Sequence, residues 1–340
     1  MSDLMKAWIL KTQERIGTRP LELVELPTPH PRKHEIRVKV NVCGICRTDL
    51  HIAEGDLSLK KTPLILGHEI IGVVDEVGER AVRFQKGDKV GISWLGRTCG
   101  TCRHCRSGKE NYCSDFKATG WDLDGGFAEY AVAHESAVLS VDDVQLPDEE
   151  IAPLMCPGVA GHCAFRLTNA VEGDNVGLYG FGPTAYYVLK IARYLGFHVH
   201  VSTRSEANIA RARENGAVWA GKDGETGMPT PLDAAVVFPP AGPLVEVALK
   251  QVKVGGVVVL APVAMSAIEI KDYSRTFWGR DLRTLYNINI KDAQEFLSLA
   301  GKTKLEIGTE IYPLDECQDA MIRLRHGETK QPNVVIRVAR

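Results

Sequence analysis

Cys99, Cys102, Cys105 and Cys113 place four thiols in fifteen residues, as a C-x2-C-x2-C-x7-C run. So compact a set suits a closed tetrahedral zinc, which holds a loop in shape. Elsewhere, Cys46 opens the segment Cys-Arg-Thr-Asp-Leu-His (46–51), His68 and Glu69 follow in Gly-His-Glu, and Cys156 stands alone downstream. Two cysteines and one histidine suit a zinc that keeps a vacant position, where a reacting oxygen can bind. Spacing alone leaves one ligand open, because Cys43 precedes Cys46 by three residues.

The four-cysteine run has two rivals. A bacterial iron–sulfur run has its fourth cysteine three residues on, followed by proline; here the gap is seven and Ser114 follows. A nucleic-acid-binding ribbon would use Arg97, Arg103, Arg106 and Lys109, but their charge also offsets the −2 of a tetrathiolate zinc. Structural zinc is the expected occupant.

A third constellation is Gly180-Phe181-Gly182-Pro183-Thr184-Ala185, between a strand and a helix. The glycines permit a tight turn and close approach of a pyrophosphate to the helix N-terminus, whose free N–H groups and dipole favour anions. Ala185 is allowed at the third position, and Pro183 suits a first helical turn. NAD binders usually place an acid about 20 residues beyond the glycines. Here the second strand ends Val201-Ser202-Thr203-Arg204-Ser205, with no carboxylate before Glu206. Ser202, Thr203 and Arg204 could instead hold a 2′-phosphate by charge-assisted hydrogen bonds, so NADP(H) is favoured over NAD(H).

The elements that must position these residues change character near Ile151. Before it, Ile36–Val40 alternates apolar and polar, and 70–74 and 89–92 read as further short strands of a β-rich body. After it come a strand at 176–179, a helix at 184–195, a strand at 198–201 and a helix at 206–215 closed by Gly216, then buried strands at 234–238 and 257–260. That alternation predicts a parallel sheet covered on both faces. A last strand over 333–338 could return to the first body.

The 340 residues suffice for two domains. A formal charge of −2 gives no whole-chain excess that would point to nucleic acid or an acidic membrane surface. The N-terminus lacks a secretory layout, and no uncharged run approaches the roughly 20 residues of a membrane span. Nine cysteines without an export signal point to reduced thiols and a cytoplasmic protein.

Taken together, these residues resemble the zinc-dependent medium-chain alcohol dehydrogenases. The resemblance spans essentially the whole chain. Its motifs are Gly44-Ile45-Cys46-Arg47-Thr48-Asp49-Leu50-His51, Gly67-His68-Glu69, Gly87-Asp88-Lys89-Val90, the cysteine run, Gly125-Gly126-Phe127-Ala128-Glu129-Tyr130, Pro153-Leu154-Met155-Cys156 and the glycine turn. It implies a GroES-like β-rich catalytic domain over 1–153, rejoined by 300–340, and a Rossmann doubly wound parallel-sheet domain over 154–299, with the active site in the cleft between them. It implies two zinc ions. Cys46, His68 and Cys156 would bind the catalytic one, with Glu69 able to approach it, and Cys99, Cys102, Cys105 and Cys113 the structural one. Asp49 would orient His68. Thr48 would hydrogen-bond the alcohol and pass its proton on to His51, and Arg47 would contact the pyrophosphate. Trp94 and Trp121 are expected as apolar walls for a primary alcohol or hydrophobic aldehyde. The family also implies a homo-oligomer, dimer or tetramer.

The resemblance assigns Cys46 over Cys43 and leaves Cys43, His162, Cys163 and Cys317 as packing residues. Pro332-Asn333 stands where many relatives carry Gly-Arg, so one basic cofactor contact is expected to be missing. The competing readings are an NAD-dependent alcohol or polyol dehydrogenase of the same fold, and a non-catalytic zinc-containing binding protein. The second predicts loss of at least one of Cys46, Thr48, His51, His68 or Cys156, and all five are present.

Overall fold

The computed structural model describes residues 4–222 and 228–339. The chain divides into two compact units. The first comprises Met1–Cys156, Asn289–Gly301 and Glu306–Arg340, the second Pro157–Ile288 and Lys302–Leu305.

In the first unit the long strand Glu35–Ile45 is the hub of a seven-stranded sheet. It pairs antiparallel with Asn333–Arg337, Glu69–Val77 and Tyr130–His134. Lys89–Ile92 and Val138–Ser140 extend the sheet on one side, and Thr309–Pro313 on the other. The C-terminal strand thus returns to the first body, over Asn333–Arg337. With neighbours all round, the hub departs from simple alternation. Ile36, Val38 and Val40 are buried as the pattern predicts, but so is Arg37. Its guanidinium is neutralised by Asp75, which accepts from Nε at 2.9 Å, and by Glu76 at 2.6 Å, and it also lies over the Tyr130 ring. A charge is tolerated inside only because it is paired.

The second unit carries a six-stranded parallel sheet in the order Trp219–Gly221, His198–Ser202, Asn175–Tyr179, Leu232–Val237, Val252–Leu260, Asp281–Thr284. That order, with the helices Pro183–Tyr194, Glu206–Glu214 and Pro243–Gln251 between strands, is the doubly wound arrangement expected. Its inner strands are almost wholly apolar because both faces are covered: Ala234, Ala235, Val236 and Val237 are all buried.

The division differs from the one read in the sequence at three places. Residues 154–156 group with the first unit, the return begins at Asn289 rather than at 300, and Lys302–Leu305 group with the second unit. The amphipathic helix Ile290–Lys302 buries Ala293, Phe296, Leu297 and Ala300. It is fastened to the first unit through Gln294, which exchanges two hydrogen bonds with the Ser140 backbone, and through the Ile290 N–H, which donates to Glu110 at 2.7 Å.

Candidate functional site

Cys46, His68, Glu69 and Cys156 come together in the first unit, with ligand atoms all within 4.8 Å of one another. They arrive from three places. Cys46 caps the helix Arg47–Glu54 at the end of the hub strand. His68 and Glu69 lie at the start of the strand Glu69–Val77, and Cys156 follows the short helix Ala152–Met155. The Cys46 and Cys156 sulfurs are 3.7 Å apart. Two ligands on a tetrahedral zinc with bonds of about 2.3 Å would stand about 3.8 Å apart, so the spacing fits that ion.

Asp49 ties these segments together. Fully buried, its carboxylate accepts from the Cys46 N–H at 2.8 Å and the Gly67 N–H at 3.1 Å, and its Oδ1 lies 3.3 Å from His68 Nδ1. The first bond closes the capping box of the helix; the second holds the backbone one residue before His68. Neither ring nitrogen of the buried His68 has a well-formed hydrogen-bond partner. A buried imidazole nitrogen left open beside two thiols and a carboxylate is a donor set that fits a cation.

The glycine motifs supply room. Gly67 has a φ of +96°, and a Cβ there would come within 2.8 Å of Phe127 and of the Cys43 sulfur. Gly125 and Gly126 pack on the same loop, their N–H groups donating to Ile65 and Gly67 carbonyls. Gly44 clears the space filled by Glu69, whose Oε2 would lie 2.0 Å from a Cβ at position 44.

Among the protein groups alone, the hydrogen bond between the two sulfurs holds Cys46 well below the ordinary thiol range and Cys156 well above it. Burial opposes charge on His68, but Asp49 and Cys46 outweigh it and raise the imidazole above its usual value. Burial, then Cys46, pushes Glu69 up. Cys43, on the core face of the hub strand, and Cys317 at a helix start are both raised by burial; they are packed thiols outside the cluster.

Around the cluster, the Thr48 hydroxyl is 3.6 Å from the Cys46 sulfur. Trp94 meets the His68 ring edge-on at 5.1 Å and stacks with Trp121 at 5.8 Å. The Trp121 indole donates to the Ser58 carbonyl. Arg47 and His51 lie on the exposed side of their helix.

Cys99, Cys102, Cys105 and Cys113 form the second cluster, again within 4.8 Å. Sulfur separations of 3.5 Å (Cys99–Cys113), 3.5 Å (Cys102–Cys105) and 3.9 Å (Cys99–Cys105) also bracket the tetrahedral edge. Backbone N–H groups of Cys99 and Cys102 point at cluster sulfurs, an arrangement that stabilises thiolates.

In the second unit, Gly180 adopts φ +83° and its N–H donates to the Ser202 carbonyl at 2.7 Å, joining the glycine turn to the end of the second strand. Gly182 caps the helix Pro183–Tyr194, and a Cβ built there meets nothing within 4 Å, so the space before the helix N-terminus is open, as a phosphate needs. Phe181 is buried. Ser202 is 1% exposed with no partner on its hydroxyl, and Thr203 is 9% exposed. Arg204 is exposed. Glu206 pairs with Lys222 at 2.7 Å in the first turn of its helix.

Residues 32–143 match the alcohol dehydrogenase GroES-like domain. The chain is 37% identical over 329 residues to a probable alcohol dehydrogenase of Mycobacterium tuberculosis, covering 95% of this chain and 94% of that protein. It is 33% identical to an alcohol dehydrogenase of Geobacillus stearothermophilus, covering 91% and 94%. The chain belongs to the zinc-dependent medium-chain alcohol dehydrogenase family. A cinnamyl alcohol dehydrogenase of Sorghum bicolor has the same fold, with a TM-score of 0.83, 25% identity and coverage of 98% and 97%.

Among this family's motifs, one neighbour of the site went unread in the sequence. Asp56 Oδ2 lies 2.7 Å from His51 Nδ1. An aspartate five residues from a histidine carries no pattern of its own; only the turn at Gly55 brings the two together. His162 and Cys163 are buried in the helix Pro157–Arg166, outside the cluster of Cys46, His68, Glu69 and Cys156.

Proposed function

We propose that this chain is a zinc-dependent alcohol dehydrogenase that interconverts alcohols and aldehydes, preferring a primary alcohol or hydrophobic aldehyde and NADP(H) over NAD(H). The observation that carries the reading is the convergence of the partly exposed Cys46 and Cys156 on the buried His68, with Glu69 at its side and an open imidazole nitrogen. A zinc there supplies a Lewis acid that lowers the pKa of an alcohol hydroxyl, and a nicotinamide supplies the hydride acceptor. Cys46, His68 and Cys156 are the proposed ligands, and Asp49 orients His68. Thr48 takes the hydrogen bond of the substrate hydroxyl, and His51 passes the released proton to solvent. Trp94 and Trp121 give the site an apolar aromatic wall. The second zinc, on Cys99, Cys102, Cys105 and Cys113, has a structural role.

Arg47, the turn Gly180–Thr184 and the strand end Ser202–Arg204 are the proposed cofactor contacts. Support for NADP(H) is that the first acid beyond the strand, Glu206, is engaged by Lys222. The buried Ser202 hydroxyl lacks a partner and Arg204 is an exposed cation two residues on. Exposed Val254, Trp278 and Tyr286 flank the edge strand Asp281–Thr284 and support a homo-oligomer, dimer or tetramer. Among the described residues no helix is long and apolar enough to cross a membrane. The free cysteines fit a reducing, cytoplasmic setting.

Initial rates with a panel of alcohols and aldehydes test the reading. We expect a higher kcat/KM with NADPH than with NADH. Arg204→Ala, at an exposed position, is expected to cost NADPH about 1.5–3 kcal/mol, roughly 10- to 150-fold, and NADH much less. Higher kcat/KM with NADH in the wild-type protein would overturn the cofactor preference.

A further inference from the structure

The aromatic wall beside the buried cluster ends in a positive charge. Trp94 meets the His68 ring at 5.1 Å, Trp121 stacks on Trp94 at 5.8 Å, and the Lys60 ammonium lies 4.9 Å from the centre of the Trp121 ring. Three short steps therefore lead from a candidate zinc ligand, across two indoles, to an exposed cation.

The loop that presents Lys60 is fastened on both sides of it. The Trp121 indole N–H donates to the Ser58 carbonyl at 2.9 Å. Gln13 donates to the Leu57 carbonyl at 2.7 Å and accepts from the Leu59 N–H at 3.3 Å. Beyond Lys60, the Thr62 hydroxyl donates to the Lys11 carbonyl at 2.9 Å. Lys60 thus stands at a set distance from the cluster.

The acids of this loop and of the loop that carries Trp121 are engaged elsewhere. Asp56 lies against His51 at 2.7 Å and Asp124 pairs with Lys61 at 2.6 Å. Asp122 accepts from the Ala118 N–H at 2.9 Å and faces Lys117 at 3.8 Å. Among the described residues Lys60 has the Trp121 ring and no carboxylate partner. An ammonium has three donors and no acceptor, so contact with a ring face leaves donors for an anion.

We propose that Lys60 is a specificity-determining residue, and that the substrates are alcohols and aldehydes with an apolar body and an anionic group at the end remote from the reacting oxygen. The body lies along Trp94 and Trp121, and the anion is held at Lys60. This rests on the reading of the cluster as the alcohol site. The anion is far from the reacting atoms, so its contact is the same before and during hydride transfer. It acts on KM rather than on kcat.

The test is the initial rate of aldehyde reduction by zinc-loaded full-length protein at saturating nicotinamide cofactor. The probes are 9-oxononanoate and its methyl ester, which share one apolar body and differ in charge. The readout is the ratio of their kcat/KM values. Because both are measured on one sample, partial loss of folded protein in a variant leaves the ratio intact. We expect wild type to favour the carboxylate about fivefold, the size of one exposed ion pair, through KM. Lys60→Met, which keeps an apolar stem over Trp121, should bring the ratio to about one, and Lys60→Glu should invert it. High salt should bring the wild-type ratio towards one. A wild-type ratio of one or below overturns the proposal, as does an unchanged ratio in Lys60→Met; in either case the dehydrogenase reading stands. Turnover of no aldehyde or alcohol by zinc-loaded wild type overturns that reading, and the proposal with it.

Discussion

The two cysteine clusters of the first unit assemble their candidate ligands differently. The lobe of Cys99, Cys102, Cys105 and Cys113 draws all its ligands from one short, partly exposed stretch, all of them thiols, with backbone N–H groups turned onto the sulfurs. The other cluster takes Cys46, His68, Glu69 and Cys156 from three separate elements and buries His68 and Glu69. Local assembly makes a closed set that can shape only its own loop. Tertiary assembly makes a mixed set whose geometry depends on a buried positioning group, Asp49, and whose charge is not balanced by thiolates alone. The comparison teaches that a chemically open site has to be assembled by the whole domain, whereas a closed one can be written into a single loop.

The sharpest way to break that comparison is to remove one ligand from each cluster. His68→Ala should cut turnover by roughly 10³-fold or more, about 4 kcal/mol of transition-state stabilisation. One zinc should be lost, and circular dichroism should stay native. Loss of both zincs, or unfolding, would mean that the buried cluster is structural too. Cys105→Ser should act on stability first. A loss of only about 3 kcal/mol lowers the melting temperature by roughly 6–12 °C in a unit of this size. Some turnover should persist at low temperature, as measured by calorimetry and initial rates on the same sample.

The smallest effect concerns pH. In the lobe, backbone N–H groups of Thr101 and Cys102 hold Cys99 down to about 6, while burial pushes Cys105 up to about 12. Zinc requires thiolates, so binding must displace the Cys105 proton across the neutral range, and below about pH 6 it must displace one from Cys99 as well. Affinity of the lobe should therefore rise with pH, and its dependence should steepen as pH falls through 6. Competition with a chromophoric chelator between pH 5 and 8 reads this directly; a pH-independent affinity would contradict it.

Legibility followed the same division. The cysteine lobe and the glycine turn were readable because each is local, and the alternation of strands and helices after Ile151 announced the parallel sheet. Cys43 and Cys46 could not be separated by spacing; the structure separates them because the hub strand turns Cys43 into the core and ends before Cys46 begins a helix. The apolar stripe of Ile290–Lys302 says that the helix is amphipathic, not which domain it will pack on, so the return of the chain was placed some ten residues late. The buried Arg37 broke an alternating pattern because its partners, Asp75 and Glu76, come from a neighbouring strand. Asp56 was invisible because its contact depends on one left-handed glycine.

The central claim is that this domain holds two zincs in two kinds of site, and elemental analysis of freshly purified, fully loaded protein tests it most directly. The account predicts two zinc ions per chain in wild type and one in each of His68→Ala and Cys105→Ser, with turnover abolished only in the first. A single zinc per well-folded wild-type chain would contradict it.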